Sequence, residues 1–331
     1  MTIHSGFILT THLEQGSAGI NIVCYVRGAN QKYKLVFENQ KHVFFIPTQS
    51  EFSPHEFKFE RKPVKLSAPN KQNVDAIYLA DLSSIQKAKK YCEQKGIRTF
   101  EIDVSLTERF FMERFIFSQL EFQGASREQG ELQVFHNPEI RPSKAKFDFS
   151  VLSLDIETGV GGELYSIAYS MRRGREVFEN VLMLANEARQ VHDKLTFYPT
   201  EKSLLMDFMQ EISTLDPDFI CGWHVIGFDL NFLENKCRSF GLKLKIGNEA
   251  DEAKLDYRQG AGHFAQMKGR VVIDGPPTLR GAFYQFTNFK LETVAQEVLG
   301  VGKDIASDGG KVEEIERRFR EDKIALAKYN L

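Results

Sequence analysis

Cysteine is scarce. Four are scattered through 331 residues, at Cys24, Cys92, Cys221 and Cys237, and no two form a CxxC pair. That excludes a disulfide framework and a cysteine-built zinc site, and it suits a reducing cytoplasm. An excess of charge of either sign is also missing: 43 Lys and Arg stand against 45 Asp and Glu, a formal net charge of −2. A protein that simply coats nucleic acid is usually basic, so the balance disfavours that class. It says nothing against a metal-dependent nuclease, in which carboxylates hold cations and the cations supply the positive field. No apolar run is long enough to span a bilayer. The stretch Met1–Thr11 has no basic cluster ahead of its apolar patch and does not read as a signal peptide. There is no internal repeat and no low-complexity segment.

What is present is enough chain for two domains. Up to about Gln133 the pattern is mixed β and α. Strands are predicted at Gly6–Thr11, Asn21–Val26, Tyr33–Phe37, Val43–Ile46 and Ala76–Leu79, between Gly, Asn and Ser clusters. A helix is predicted over Ser83–Lys95, stopped by Gly96, then a strand over Arg98–Val104 and an aromatic helix over Thr107–Phe117. His136–Lys146, with two prolines and three basic residues, reads as a linker, dividing a domain over residues 1–146 from one over 147–331. The second part opens on strands at Phe149–Ile156, Leu164–Ser170 and Val177–Leu184. Helix Glu201–Leu215, strand Phe219–Gly222, helix Phe228–Phe240, strand Val271–Ile273, helix Leu291–Leu299 and a helical stretch Val312–Asn330 follow. Antiparallel strands first, then strand–helix alternation, is the order of an RNase H-like α/β fold.

Two acidic motifs stand out. Ser150–Thr158 reads SVLSLDIET. Residues two apart on a strand share a face, so Asp155 and Glu157 point together. Two such acids repel unless solvated or shared with a cation, and a lone D-x-E is more often a solvated strand end than a site. Cys221–Leu230 reads CGWHVIGFDL, with Asp229 in the first turn after a buried strand. An Asp there is commonly no more than a helix N-terminal residue favoured by the dipole.

Together the two segments resemble the first two exonuclease motifs of the family B DNA polymerases, D-I-E-T and G-W-N-x-x-x-F-D, about seventy residues apart. The third family motif is Y-x-x-x-D. ALAKYNL at the C-terminus supplies its Tyr as Tyr329, and the matching Asp falls at position 333, past Leu331. The resemblance extends along nearly the whole chain, through GFILT, ERFFMERFI, GELYSIAY, DPDFICGW, GRVVIDG, FKLETVAQEVLG and the C-terminal tail, to bacterial members of the family. It implies a proofreading 3′–5′ exonuclease domain preceded by the family's N-terminal module beside the template strand. It also implies that palm, fingers and thumb domains, absent from these 331 residues, belong with them, and that primer-template DNA is a partner and no membrane is. The family's Asn in the second motif is His224 here. A tolerated polar substitution is one reading, and a pH-sensitive contact to the terminal phosphate is the other.

The implied chemistry is phosphodiester hydrolysis with two divalent cations, Mg²⁺ or Mn²⁺, roughly 3.5–4 Å apart. By resemblance Asp155 bridges both ions, Glu157 and the fourth carboxylate hold one, Asp229 helps hold the other through water, and Tyr329 orients the attacking water. The substrate implied is a frayed single-stranded 3′ end. Apolar side chains near the motifs are the candidates to stack on its bases: Phe228 by motif position, then Leu164 and Tyr165, with Thr158 and His224 beside the terminal nucleotide. Core packing is the competing reading for each apolar one. Arg172, Arg173, Arg175, Lys236 and Arg238 either follow the phosphates or form charged exposed faces. Asp256–Met267, polar and Gly-rich, reads as a mobile loop where the family places a hairpin. With three of four carboxylates in the chain, weak or absent hydrolysis is expected of these 331 residues alone. A non-catalytic template-binding fragment and a free-standing exonuclease of the same carboxylate class are the alternatives.

Overall fold

A computed structural model describes residues 2–185, 190–301 and 310–331. The chain divides into two compact units, Met1–Phe147 and Asp148–Leu331. Among the described residues no helix is long and apolar enough to cross a membrane.

The first unit holds β1 (His4–Gln15), β2 (Ile20–Arg27), β3 (Lys32–Gln40), β4 (His42–Pro47), β5 (Glu60–Ser67), β6 (Asn73–Leu79), α1 (Leu82–Lys95), α2 (Leu106–Met112), β7 (Gln119–Gln123), β8 (Ser126–Gln129), β9 (Leu132–His136) and β10 (Glu139–Pro142). They form a seven-stranded sheet in the order β10-β7-β1-β2-β3-β9-β8 and a three-stranded sheet β4-β6-β5. Asp81 caps α1 by accepting from Ser83 N–H, and Gly96 ends it in the left-handed conformation at φ 62. Three expectations change here. Arg98–Val104 is not a strand: it makes one bridge, Phe45 to Phe100, because Glu101 at φ 59 turns the chain out of extension. The aromatic helix ends at Met112, since Phe115 adopts φ 56. The expected linker contains β10, which pairs with β7. Pro142 is tolerated there because β10 is an edge strand.

The second unit holds β11 (Ser150–Thr158), β12 (Leu164–Arg173), β13 (Glu176–Leu184), β14 (Gln190–His192), β15 (Leu195–Tyr198), α3 (Glu201–Leu215), β16 (Phe219–Gly222), α4 (Asn231–Ser239), β17 (Lys254–Arg258), β18 (Gly262–Gln266), β19 (Val271–Asp274), α5 (Gly275–Gly281), α6 (Leu291–Leu299), α7 (Lys311–Glu321) and α8 (Lys323–Asn330). Its seven-stranded sheet runs β14-β15-β13-β12-β11-β16-β19. β11, β12 and β13 form an antiparallel meander, and β16 and β19 add parallel to β11. This is the RNase H-like arrangement. Leu152, Leu154, Ile156, Ile167 and Leu182 pack on one face against Leu204, Phe208 and Ile212 of α3 and Leu233 of α4. Ala168, Val181 and Met183 pack on the other against Ile315 of α7 and Leu326 and Ala327 of α8. The long C-terminal helical stretch is two helices, broken at Asp322, whose carboxylate caps α8 through Ala325 N–H. The stretch Asp256–Met267, where the resemblance places a hairpin, falls on the β17–β18 hairpin, paired from Lys254 to Gln266 and flanked by buried Ala253 and Met267.

Register between β11 and β16 is set by Asp218. It is fully buried and accepts from Ser150 N–H at 2.9 Å and Ser150 Oγ at 3.0 Å. Removing the carboxylate leaves buried donors unpaired at the start of two central strands. Asp218→Ala is expected to lower the unfolding free energy by about 2–4 kcal/mol, read as a reduced urea midpoint.

Candidate active site

Both acids of the first motif stand near the end of β11. Asp155 lies across from Ala168 and Glu157 across from Ser166. Ala168 packs beneath α7 and α8, so the two acids rise on that face while their apolar neighbours enter the α3–α4 core. Asp155 is exposed and Glu157 is buried.

The second motif arrives from the next strand over. β16 ends at Gly222, where a Cβ would lie 2.7 Å from the Leu154 carbonyl oxygen and 2.8 Å from Val225 Cβ, so the close crossing needs glycine. His224 then takes the left-handed conformation at φ 60. That backbone favours Asn and tolerates His, which gives a conformational reason for the exchange of these two residue types at this position. The predicted helix start at Phe228 is a π-helical turn over Ile226–Leu230, closed by Leu230 N–H to Val225 O at 2.8 Å. Asp274, at the end of β19, anchors this turn by accepting from His224 N–H at 2.9 Å and Ile226 N–H at 3.2 Å.

The turn carries Asp229 inward. It is 2% exposed, and its Oδ1 accepts from Ile156 N–H at 3.1 Å. Burial, and then the neighbouring charge of Asp155, push its carboxyl up to about 7; Asp274 adds to the rise. Asp155, Glu157, Thr158, Phe228 and Asp229 line one cleft of about 330 Å³, with Val312 and Ile315 of α7 on its wall. Phe228 is 51% exposed there. Among the described residues no group of three or more His, Cys, Asp or Glu side chains is arranged to hold a metal ion.

The other candidate residues are placed differently. Tyr329 lines an adjoining cavity of about 610 Å³ that shares Asp155 and Trp223 with the cleft, and its ring lies 5.7 Å from the Arg318 guanidinium. Leu164 is fully buried in the α3–α4 core. Tyr165 is stacked on Phe319 at 3.7 Å between centroids, and its hydroxyl donates to Glu316 at 2.8 Å. Both side chains are therefore engaged in packing. Lys236 pairs with Glu201 at 2.7 Å and Arg238 with Glu234, so these cations serve a helix surface. Arg172, Arg173 and Arg175 are exposed around the β12–β13 turn. Sequence reasoning missed Asp274, whose signal was an acid closing the short β-branched strand Val271–Ile273. It also missed Val312 and Ile315, for which the helical i, i+3 spacing was the only clue.

The chain matches the DNA polymerase family B exonuclease domain over residues 97–294. It is 34% identical to DNA polymerase II of Escherichia coli over 342 residues, covering 99% of this chain and 42% of that protein. It is 27% identical to a DNA polymerase of a Thermococcus species over 173 residues, covering 49% of this chain and 21% of that protein. The chain thus spans less than half the length of these relatives. Its fold is similar to the family B DNA polymerase of Pyrobaculum calidifontis, with a TM-score of 0.71 over 98% of this chain and 43% of the other, at 15% identity.

The raised Asp229 carboxyl has a stability consequence. Its folded-state value of about 7 exceeds the ordinary unfolded value of about 3.9. The folded state keeps a proton that the unfolded chain loses between those values, so stability falls as pH rises from about 4 to 7 and stays low above. Asn keeps an Oδ1 for the Ile156 N–H and carries no charge. Without added divalent cation, Asp229→Asn is expected to raise the unfolding free energy by about 4 kcal/mol at pH 8 and by little at pH 4, measured by urea titration at both pH values.

Proposed function

This chain belongs to the family B DNA polymerases, and we propose that its second unit removes nucleotides from single-stranded DNA 3′ ends at the Asp155–Glu157–Asp229 cleft. The observation that carries this reading is the Asp229 carboxyl, buried beside a second acid and held partly protonated at neutral pH. A solvated strand end or a helix cap would need neither the burial nor the crowding. The donor set fits hard divalent cations, which take carboxylate oxygens. A nearby cation also reverses the electrostatics that keep Asp229 protonated.

Asp155, Glu157 and Asp229 are the residues that would hold Mg²⁺ or Mn²⁺. Two such ions, when bound, neutralise phosphate charge and lower the pKa of a water. Asp155 is the central ligand, since it borders both cavities. Tyr329, in the second cavity, orients the attacking water by its hydroxyl. Phe228 offers an exposed ring on which the terminal base stacks. Thr158 and His224 flank the terminal nucleotide. Within the longer protein, the first unit would lie beside the template strand, with palm, fingers and thumb completing a polymerase that acts on primer-template DNA in the cytoplasm. The non-catalytic reading draws on the lack, among the described residues, of three converging ligand side chains.

With Mn²⁺ and a 5′-labelled single-stranded oligonucleotide, the chain, with three of the four motif carboxylates, is expected to shorten DNA only slowly from the 3′ end, with Asp155→Ala slower still by about 100-fold. Phe228→Ala is expected to raise KM about tenfold while changing kcat little. Equal shortening by wild type and Asp155→Ala would favour the non-catalytic reading.

A further inference from the structure

The loop joining β11 to β12 follows the first-motif acids directly and reads Gly159-Val160-Gly161-Gly162-Glu163. Its backbone closes on itself through Gly159 N–H to Glu163 O and Gly162 N–H to Gly159 O, both 2.9 Å. A Cβ on Gly159 would fall 2.4 Å from the Tyr165 hydroxyl oxygen, and one on Gly161 would fall 2.6 Å from the Glu163 carboxylate. The loop therefore presents one apolar side chain, Val160, which is 78% exposed. Three glycines give such a loop large conformational freedom, so its place beside the acids needs outside anchors.

Two glutamates supply them. On the β12 side, Glu201 accepts from Leu164 N–H at 2.5 Å and is itself held by Lys236. On the other side, Glu316 Oε1 accepts from both Val160 N–H at 3.0 Å and Tyr165 OH at 2.8 Å. Arg320 approaches its Oε2 at 3.2 Å, and the Glu316 side chain is 14% exposed. Those two donors hold its carboxyl below the usual carboxylate range. One helical step further on, Phe319 stacks on the Tyr165 ring. Val312 and Ile315 lie on the same stripe of α7 and line the cleft. One helix face thus walls the cleft and grips the loop.

We propose that Glu316 is a positioning residue: it clamps the 159–163 loop so that Val160 stands against the 3′-terminal base, and it thereby sets how strongly that base is held. This rests on the reading of the cleft as a 3′-end site. Hydrogen bonds to a charged acceptor are the strong ones, and Gln preserves an acceptor oxygen where Ala does not.

The test uses the whole chain as wild type, Glu316→Ala, Glu316→Gln and Val160→Gly. Without DNA, hydrogen exchange of the peptide covering residues 158–163 is expected to be about tenfold faster in Glu316→Ala and near wild type in Glu316→Gln. Binding is then read with a single-stranded oligonucleotide carrying fluorescent 2-aminopurine at its 3′ end, and with the same oligonucleotide ending in an abasic nucleotide. Glu316→Ala and Val160→Gly are expected to weaken the first about tenfold and leave the second unchanged, with Glu316→Gln matching wild type in both. Unchanged exchange in Glu316→Ala overturns the clamp. Changed exchange with unchanged base-dependent binding, or equal losses on both oligonucleotides, overturns the positioning role. Unaltered binding by Val160→Gly overturns the base contact. Failure of the wild type to bind either oligonucleotide contradicts the 3′-end reading, while the exchange result still decides the clamp.

Discussion

The hydrogen bond from Ile156 N–H to Asp229 Oδ1, 3.1 Å long, joins the two halves of the site. Ile156 sits between the acids of the first motif, and Asp229 comes from the turn after a different strand. The bond brings a buried carboxyl into the field of Asp155, and the repulsion is offset only in part by the backbone donors it meets. Asp274 holds the other end of the same turn through two backbone N–H groups. The acids Asp155 and Glu157, the Asp229 turn and Asp274 all lie at or beyond the carboxyl ends of the parallel strands β11, β16 and β19. Side chains from several strands converge at that edge of an open α/β sheet, which is where such sheets bind ligands.

Much of this was legible in the residues. The SVLSLDIET alternation marks a strand with one buried face, and its acids do occupy the face opposite Leu152, Leu154 and Ile156. Helices Glu201–Leu215 and Leu291–Leu299 and strand Phe219–Gly222 were readable to the residue, because capping residues and breakers bound their periodic patterns. What failed was governed by single backbone conformations or long-range pairing. Glu101 and Phe115 adopt the left-handed region that sequence patterns do not announce. β10 is a strand only because β7 lies beside it. Leu164 and Tyr165 look like base contacts by motif proximity, yet the bulge between Glu157 and Thr158 and the α7 stack commit them to packing. His224 was open between two readings, and its φ of 60 gives the conformational reason why an Asn-like residue suits the position.

The site also divides labour between rigid and soft parts. The acids and the Asp229 turn are built on buried strands with dense apolar support. The apolar side chains that line the cleft sit on the turn and on α7, and the glycine-rich loop that follows the first-motif acids is tied down by two glutamates. Chemistry requires fixed oxygen positions, whereas holding a base of any identity requires only an apolar edge at the right distance. The distribution of glycine, acids and exposed hydrophobics in this unit follows that distinction.

The central claim is that the crowding of Asp229 against Asp155 exists for a cation. Calorimetric titration with Mn²⁺ at pH 6.5, run in two buffers of different ionisation enthalpy, tests it most directly. Because Asp229 is held near 7 in the metal-free protein, binding should release about three-quarters of a proton per chain at that pH and almost none at pH 8.5. The Asp229→Asn chain should release none at either pH. Binding without proton release at pH 6.5, or no binding at either pH, would contradict the account.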